Sequence, residues 1–419
     1  MKAEIFSTGD EVLWGDIDDT NASWLARKLR ESGIDVTRIT CTGDCLEDIA
    51  GIIQEMSARA DIALVTGGLG PTSDDLSAEA AALASGDTIV LNQKALTSMK
   101  SYFSKRGIKM SDDNKKQAML PSKAGVMENS FGTAPGFHIS CNRAAIFFMP
   151  GVPREMKPMY EKSVLPQIRE LFAANTAVNS TCLVNRFKVF GLPESRVGSR
   201  LKGFNEHFPQ LKLGFRSTIP LIEVKFSTIS RDVSQSQKQM EQASQWISSR
   251  LDGYIFSSTG LSMEQELGRA LAARKKTLAV AESCTGGLIG NMITDVEGSS
   301  DYFLFCAVTY SNDAKVNILG VSPDTLTAHG AVHEQTAMEM AQGARRVAGA
   351  DYGLATSGIA GPGGGTDEKP VGTVCIGIAG DGFSKAYRFN FSFGDRIMNK
   401  KFFAVKAMDM LRREVLKIS

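Results

Sequence analysis

The sequence predicts an α/β protein of more than one domain, and three observations carry that reading. The chain has 419 residues, too many for one ordinary hydrophobic core. Short apolar runs alternate with amphipathic segments in its first and last thirds, the pattern of strands and helices wound into a mainly parallel sheet. In both thirds a glycine-rich loop stands where a strand runs out, at residues 67–70 and 358–365, the end of such sheets at which ligands bind. We expect a three-layer α/β/α doubly wound domain over 1–169, a small α+β connector over 170–257, and a mixed-sheet α/β domain over 262–419.

Bulk properties narrow the function classes. Hydrophobic content of 43% and charged content of 22% are those of a soluble globular protein. Lys plus Arg number 47 against 46 Asp plus Glu, which gives no electrostatic basis for a nucleic-acid or membrane surface. The first residues lack a signal-peptide apolar region, and no apolar run approaches membrane-spanning length. The seven cysteines, at 41, 45, 141, 182, 284, 306 and 375, contain no Cys-x-x-Cys pair. Neither a disulfide framework nor a zinc site is expected, and a cytoplasmic location is.

In the first domain, strands are expected at 3–8, 34–39 and 62–66, with helices at 48–57 and 76–83 and one carrying Trp24, Leu25 and Leu29 inward. The third strand opens into Gly67-Gly68-Leu69-Gly70-Pro71-Thr72-Ser73-Asp74-Asp75. Glycines there let backbone approach a phosphate, and the following helix start supplies N–H groups. Asp74 and Asp75 then stand where they can hold a divalent metal on that phosphate. A plain glycine-rich turn with an acidic helix cap is the alternative.

The middle segment reads β-α-β-β-α-β, with two strands around Pro220 and a polar-faced helix at 234–251. It carries no catalytic constellation, and its one histidine, His207, reads as a loop residue.

In the last domain a strand at 278–281 meets Glu282-Ser283-Cys284-Thr285-Gly286-Gly287 and then an apolar-periodic helix. The turn presents a hydroxyl and a thiol beside free helix-start N–H groups able to hold an anion or an oxyanion. Cys284 is the stronger nucleophile, and a helix start lowers a thiol pKa, but a cysteine hydrolase usually needs a histidine base. Here His329 and His333 flank an Ala-Val segment remote in sequence from this turn. A serine can instead be activated by a neutral lysine, and Tyr310 and Lys315 follow a strand end 27 and 32 positions after Ser283. Ser/Lys, Cys/His and a purely structural turn all remain open on these grounds.

Specific motifs then point to a family. Gly9-Asp10-Glu11, residues 66–72, Gly132-Thr133-Ala134-Pro135-Gly136 and residues 150–156 resemble the N-terminal domain of the CinA family, itself similar to the molybdopterin-binding fold. The resemblance implies functional aspartates at Asp44 and Asp75, nucleotide contacts from Gly67, Gly68, Gly70 and Thr72, and a divalent-metal-dependent ADP-ribose pyrophosphatase activity. Residues 281–287, Tyr310-Ser311-Asn312 with Lys315, residues 357–362 and 369–374, and Gly394-Asp395-Arg396 resemble the CinA C-terminal (PncC) domain. That implies an α/β amidohydrolase domain deamidating nicotinamide mononucleotide (NMN), with Ser283, Tyr310 and Lys315 catalytic and no cofactor.

On this reading Lys315 takes the Ser283 proton through Tyr310, and N–H groups at 285–287 form the oxyanion hole. Glu282, Thr285, Gly286, Gly287, Ser357, Gly358, Gly361, Gly363, Gly364 and Arg396 are the expected substrate contacts, with Arg396 and the 361–365 loop on the phosphate. Expected partners are small nucleotides and a second copy of the chain. A non-catalytic nucleotide- or pterin-binding protein acting through partners is the alternative.

Overall fold

The protein's computed structural model describes residues 1–172, 181–230, 232–391 and 393–418. Part of the expected connector, residues 173–180, lies outside the described residues. The chain divides into two compact units, one of 1–183 with 229–236, the other of 184–228 with 237–419.

The first unit holds strands β1 (Lys2–Thr8), β2 (Asp35–Thr42), β3 (Ile62–Thr66), β4 (Ile89–Leu91), β5 (Met119–Pro121), β6 (Gly125–Met127), β7 (Gly136–Cys141) and β8 (Ala144–Met149). Six form one sheet in the order β2-β1-β3-β8-β7-β6. β2, β1, β3 and β8 run parallel, while β7 and β6 are antiparallel additions. Alternate side chains of the central strands enter two cores. Ile5, Leu64 and Phe147 pack with Leu25, Leu29 and Met156 on one face. Phe6, Val65 and Phe148 pack with Ile49, Ile53 and Ala80 on the other. Burial on both faces is why these strands read as unbroken apolar runs, and it makes the three layers. The parallel register brings the ends of β1, β3 and β8 together: Gly67 N–H donates to the Met149 carbonyl at 3.1 Å, and Gly9 N–H to Thr42 at 3.2 Å.

In the second unit, β9 (Thr181–Phe190), β10 (Lys212–Thr218), β11 (Leu221–Ser230) and β12 (Ile255–Ser257) form a sheet ordered β10-β11-β9-β12. Helices Glu194–Arg200 and Val233–Arg250 supply the α elements of the expected β-α-β-β-α-β order. Phe190 and Phe256 from this sheet share an apolar cluster with Met263, Leu267 and Leu278, so module and C-terminal domain pack as one body.

The C-terminal sheet is mixed, as the sequence suggests. β13 (Leu278–Glu282), β14 (Phe303–Val308), β15 (Tyr352–Gly358), β16 (Thr373–Gly380) and β17 (Phe383–Asn390) lie in the order β14-β13-β15-β16-β17. β14, β13 and β15 are parallel, and β16 and β17 antiparallel. The final helix, Arg396–Leu416, covers one face through Phe403, Met408 and Leu411. Helix Glu334–Ala348 covers the other with Ala337, Met340, Ala341 and Ala344, all fully buried as their spacing requires. β13 and β15 end side by side, which delivers Ser283 and Ser357 to one edge. No helix among the described residues is long and apolar enough to cross a membrane.

Candidate active site

The turn after β13 reverses within four residues because Gly286 and Gly287 adopt φ of +62° and +89°, a region that costs other residues energy. Helix Leu288–Thr294 starts directly behind it and has no side-chain cap from its own first residue. Glu282, the fully buried last residue of β13, takes that role. Its carboxyl oxygens accept from Gly287 N at 2.9 Å, Ile289 N at 3.2 Å and Gly290 N at 2.8 Å. The Cys306 thiol approaches the same group at 3.5 Å, and burial, with Glu282 next, pushes that thiol up to about 12.

This corrects two expectations. Glu282, expected as a substrate contact, instead spends its carboxyl oxygens on the helix start. The N–H groups of 285–287 are not all available either: Gly286 donates to the Ser283 carbonyl at 3.1 Å and Gly287 to Glu282. Of those three, only Thr285 N–H is unspent among the described residues. Thr285 is fully buried, and its hydroxyl pairs with the Thr356 hydroxyl at 2.7 Å.

Ser283 is 8% exposed, set into the edge of the sheet instead of lifted clear of it. Its N–H donates to the Thr356 carbonyl at 2.9 Å, which fixes the side-chain direction. Lys315, on helix Asn312–Leu319, is 1% exposed. Its Nζ lies 3.2 Å from Ser283 Oγ, 2.8 Å from the Thr309 carbonyl and 3.4 Å from the Tyr310 carbonyl. Desolvation holds this amine below its ordinary pKa, since burial disfavours the charged form. A neutral amine has two N–H donors and one lone pair. In that form, with its two donors on the two carbonyls, Lys315 would have its lone pair free for the Ser283 hydroxyl proton.

Tyr310 does not stand between them. It is 62% exposed, and its hydroxyl accepts from Arg396 Nη2 at 3.2 Å, whereas Lys315 reaches Ser283 directly. The relay through Tyr310 is therefore corrected to a direct contact. Arg396 Nη1 also donates to the Gly361 carbonyl at 2.6 Å, so the guanidinium braces the glycine loop against Tyr310. Asn399 clamps the same loop from the next turn, donating to Ala360 O at 3.0 Å and Phe393 O at 2.8 Å.

Cys284 is buried in the apolar core, and desolvation pushes its thiol up to about 12. The helix-start lowering anticipated for it is outweighed by burial and by Glu282. Ser357 is buried and donates to the Ala331 carbonyl at 2.6 Å. The segment between His329 and His333, remote in sequence, thus packs against the end of β15. Gly358 lies so close to Cys284 that an added Cβ would meet its sulfur at 3.2 Å. Gly363 and Gly364 are exposed in the loop that Arg396 holds.

One residue the sequence reading missed is Lys400. A Cβ built on Gly286 would lie 3.4 Å from its Nζ. The available signal was its position four residues after Arg396, which puts both on one helix face.

In the first unit, Gly67, Gly68, Gly70, Asp44, Asp74 and Asp75 line a cavity of about 590 Å³ at the ends of β1, β3 and β8. Gly67 and Gly68 have positive φ, and a Cβ at Gly67 would collide with the Thr8 carbonyl. Thr8 and Asn21 line this cavity, and their buried Oγ1 and Oδ1 lack partners among the described residues, which fits a ligand site. Asp74 and Asp75, expected as a metal pair, are engaged differently. Asp75 accepts from Gly70 N at 2.7 Å and from the N–H and hydroxyl of Thr72, folding both oxygens back onto its own loop. Asp74 is fully exposed and held low by the Thr72 hydroxyl. Asp44 is raised by burial and by its neighbours Asp10, Glu11 and Asp74. Among the described residues no three His, Cys, Asp or Glu side chains stand where they could hold one ion.

Comparison with known proteins agrees with this two-part architecture. Residues 261–415 match the CinA C-terminal domain, and residues 4–170 a probable molybdopterin binding domain. A CinA-like protein of Desulforapulum autotrophicum is 50% identical over 417 residues, covering 99% of each chain. Another, from Desulfosudis oleivorans, is 51% identical over 416 residues, covering 99% of this chain and 100% of the relative. Among solved structures, a competence-damaged protein (CinA) superfamily protein of Klebsiella pneumoniae is 35% identical. It covers 37% of this chain and 96% of its own, with a TM-score of 0.36.

Proposed function

The chain belongs to the CinA family, and on that premise we propose that its C-terminal domain is an amidohydrolase converting NMN to nicotinate mononucleotide and ammonia. The observation that carries the reading is the buried Lys315 amine 3.2 Å from Ser283 Oγ, a nucleophile and base in contact within a water-poor edge of the sheet.

Ser283 Oγ attacks the carboxamide carbon while neutral Lys315 takes the hydroxyl proton. The developing oxyanion is met by Thr285 N–H, the unspent donor of the turn. Lys315, now an ammonium held by the Thr309 and Tyr310 carbonyls, returns the proton to the departing nitrogen. Ammonia leaves and an acyl ester remains on Ser283. Water, deprotonated by the same lysine, hydrolyses that ester to the carboxylate and regenerates the serine. No metal or organic cofactor is called on. For the first domain, the cavity with its glycine loop and two orphaned polar atoms supports binding of a nucleotide or pterin, ADP-ribose among the ligands the resemblance implies.

The test is ammonia release from NMN by the wild type, Ser283→Ala and Cys284→Ala. Turnover is expected to vanish in Ser283→Ala and to persist in Cys284→Ala, because burial pushes the Cys284 thiol of the wild type up to about 12. Activity in Ser283→Ala with loss in Cys284→Ala would transfer the nucleophile to the thiol.

A further inference from the structure

Lys400 stands at the Ser283 turn and Arg396 on the neighbouring 361–365 loop, neither with a carboxylate partner among the described residues. Arg396 opens the final helix, and Lys400 follows one turn later on the same face. Like charges at this spacing are mutually unfavourable, so the pair is an arrangement that needs an anion. Arg396 has two of its donors on Gly361 O and the Tyr310 hydroxyl. Lys400 is different. It makes no hydrogen bond or ion pair among the described residues, and its Nζ overhangs Gly286, where a Cβ would lie 3.4 Å away. Gly286 is tied to the nucleophile's own carbonyl at 3.1 Å, so the ammonium stands beside the turn that holds the reacting centre.

The helix start at this edge is already occupied. Glu282 occupies the N–H groups of helix Leu288–Thr294, which removes that helix start as a phosphate cradle. The oxyanion needs a fixed backbone donor, which Thr285 supplies. An unpaired ammonium on a four-carbon stem is a mobile point charge suited to phosphate oxygens.

We propose that Lys400, with Arg396 beside it, binds the phosphomonoester of the substrate and sets the preference for nucleotide over nucleoside. This rests on the amidohydrolase reading of the same site. It explains why both cations sit on one helix face: a phosphomonoester near neutral pH carries close to two charges, which two cations match.

The experiment compares NMN with nicotinamide riboside, the same amide without phosphate, in wild type, Lys400→Met and Lys400→Arg. In Lys400→Met the KM for NMN is expected to rise at least about tenfold, the scale of a lost charge-assisted contact. The kcat/KM for the riboside should stay within about twofold, and Lys400→Arg should restore most of the NMN affinity. An unchanged KM for NMN, or equal losses on both substrates, overturns the proposal and makes Lys400 an oxyanion or structural group. Calorimetric binding of inorganic phosphate to wild type and Lys400→Met gives an arm independent of turnover. Weaker binding in the variant supports the proposal and equal binding overturns it. A wild type that binds phosphate through Lys400 yet releases no ammonia from NMN removes the amidohydrolase reading alone.

Discussion

Replacing Lys315 by Met separates chemistry from packing. Methionine keeps the length of the buried stem and removes the amine that lies 3.2 Å from Ser283 Oγ. The serine hydroxyl then has no base. Positioned general bases contribute about 10²–10⁴-fold, and this one acts in both acylation and deacylation, so a fall in kcat/KM of about 10³-fold or more is expected, or about 4 kcal/mol at roughly 1.4 kcal/mol per decade.

Stability should move the other way or not at all. The variant loses donors to the Thr309 and Tyr310 carbonyls, about 0.5–1.5 kcal/mol each, but no longer buries an amine that water would keep charged. The sign of the pH dependence follows from the lowered pKa. Between the folded-state pKa and the ordinary lysine value, the unfolded chain binds more protons than the folded one. Wild-type stability therefore rises with pH across that window, as the penalty carried in full below it is relieved. Lys315→Met lacks this rise, so its stability relative to wild type is greatest below the folded pKa and falls toward pH 10.5, the ordinary value. The assays are ammonia release from NMN and urea unfolding across pH. Wild-type kcat/KM should also climb with pH as the amine loses its proton. A variant within tenfold of wild-type activity, or one that loses stability most at neutral pH, refutes the reasoning.

Two other substitutions test the geometry around this pair. Tyr310→Phe should lower kcat by no more than about tenfold, because Lys315 touches Ser283 without it; a loss in the 10²–10⁴-fold range of general catalysis would restore the tyrosine to the proton path. Glu282→Ala strands the N–H groups of Gly287, Ile289 and Gly290, at about 1–3 kcal/mol for each unsatisfied donor. A urea-unfolding loss of about 3 kcal/mol or more is expected, and less than about 1 kcal/mol would mean that the carboxyl group does not cap the helix.

Much of this molecule is local and therefore readable in its residues. Strand after strand, Ile5 with Phe6 and Leu64 with Val65 declare burial on both faces by being apolar in succession. Gly286 and Gly287 declare a turn because only a residue without Cβ adopts that backbone cheaply. Ser283 and Lys315 could be nominated from the motifs they sit in, and the inward face of helix Glu334–Ala348 from its spacing. What the residues do not declare is how hydrogen-bonding groups are shared once distant segments meet. Glu282 looks like a site acid until the helix behind it is seen to use both of its oxygens. Asp74 and Asp75 look like metal ligands until Asp75 closes on its own loop.

Cys284 outranks Ser283 as a nucleophile by intrinsic chemistry, and it is its burial, which raises the thiol to about 12, that argues for the serine. Lys400 carries no motif, and it becomes informative only because the final helix sets it over Gly286. Periodicity and glycine placement act within a few residues, so the sequence by itself determined the layers and the turn and nominated Ser283 and Lys315. Desolvation and donor occupancy are sums over everything packed nearby. Only the tertiary structure shows that burial lowers the Lys315 amine, that Thr285 keeps the one unspent N–H of the three expected among the described residues, and that the Tyr310 hydroxyl lies on Arg396 while Lys315 lies directly against Ser283.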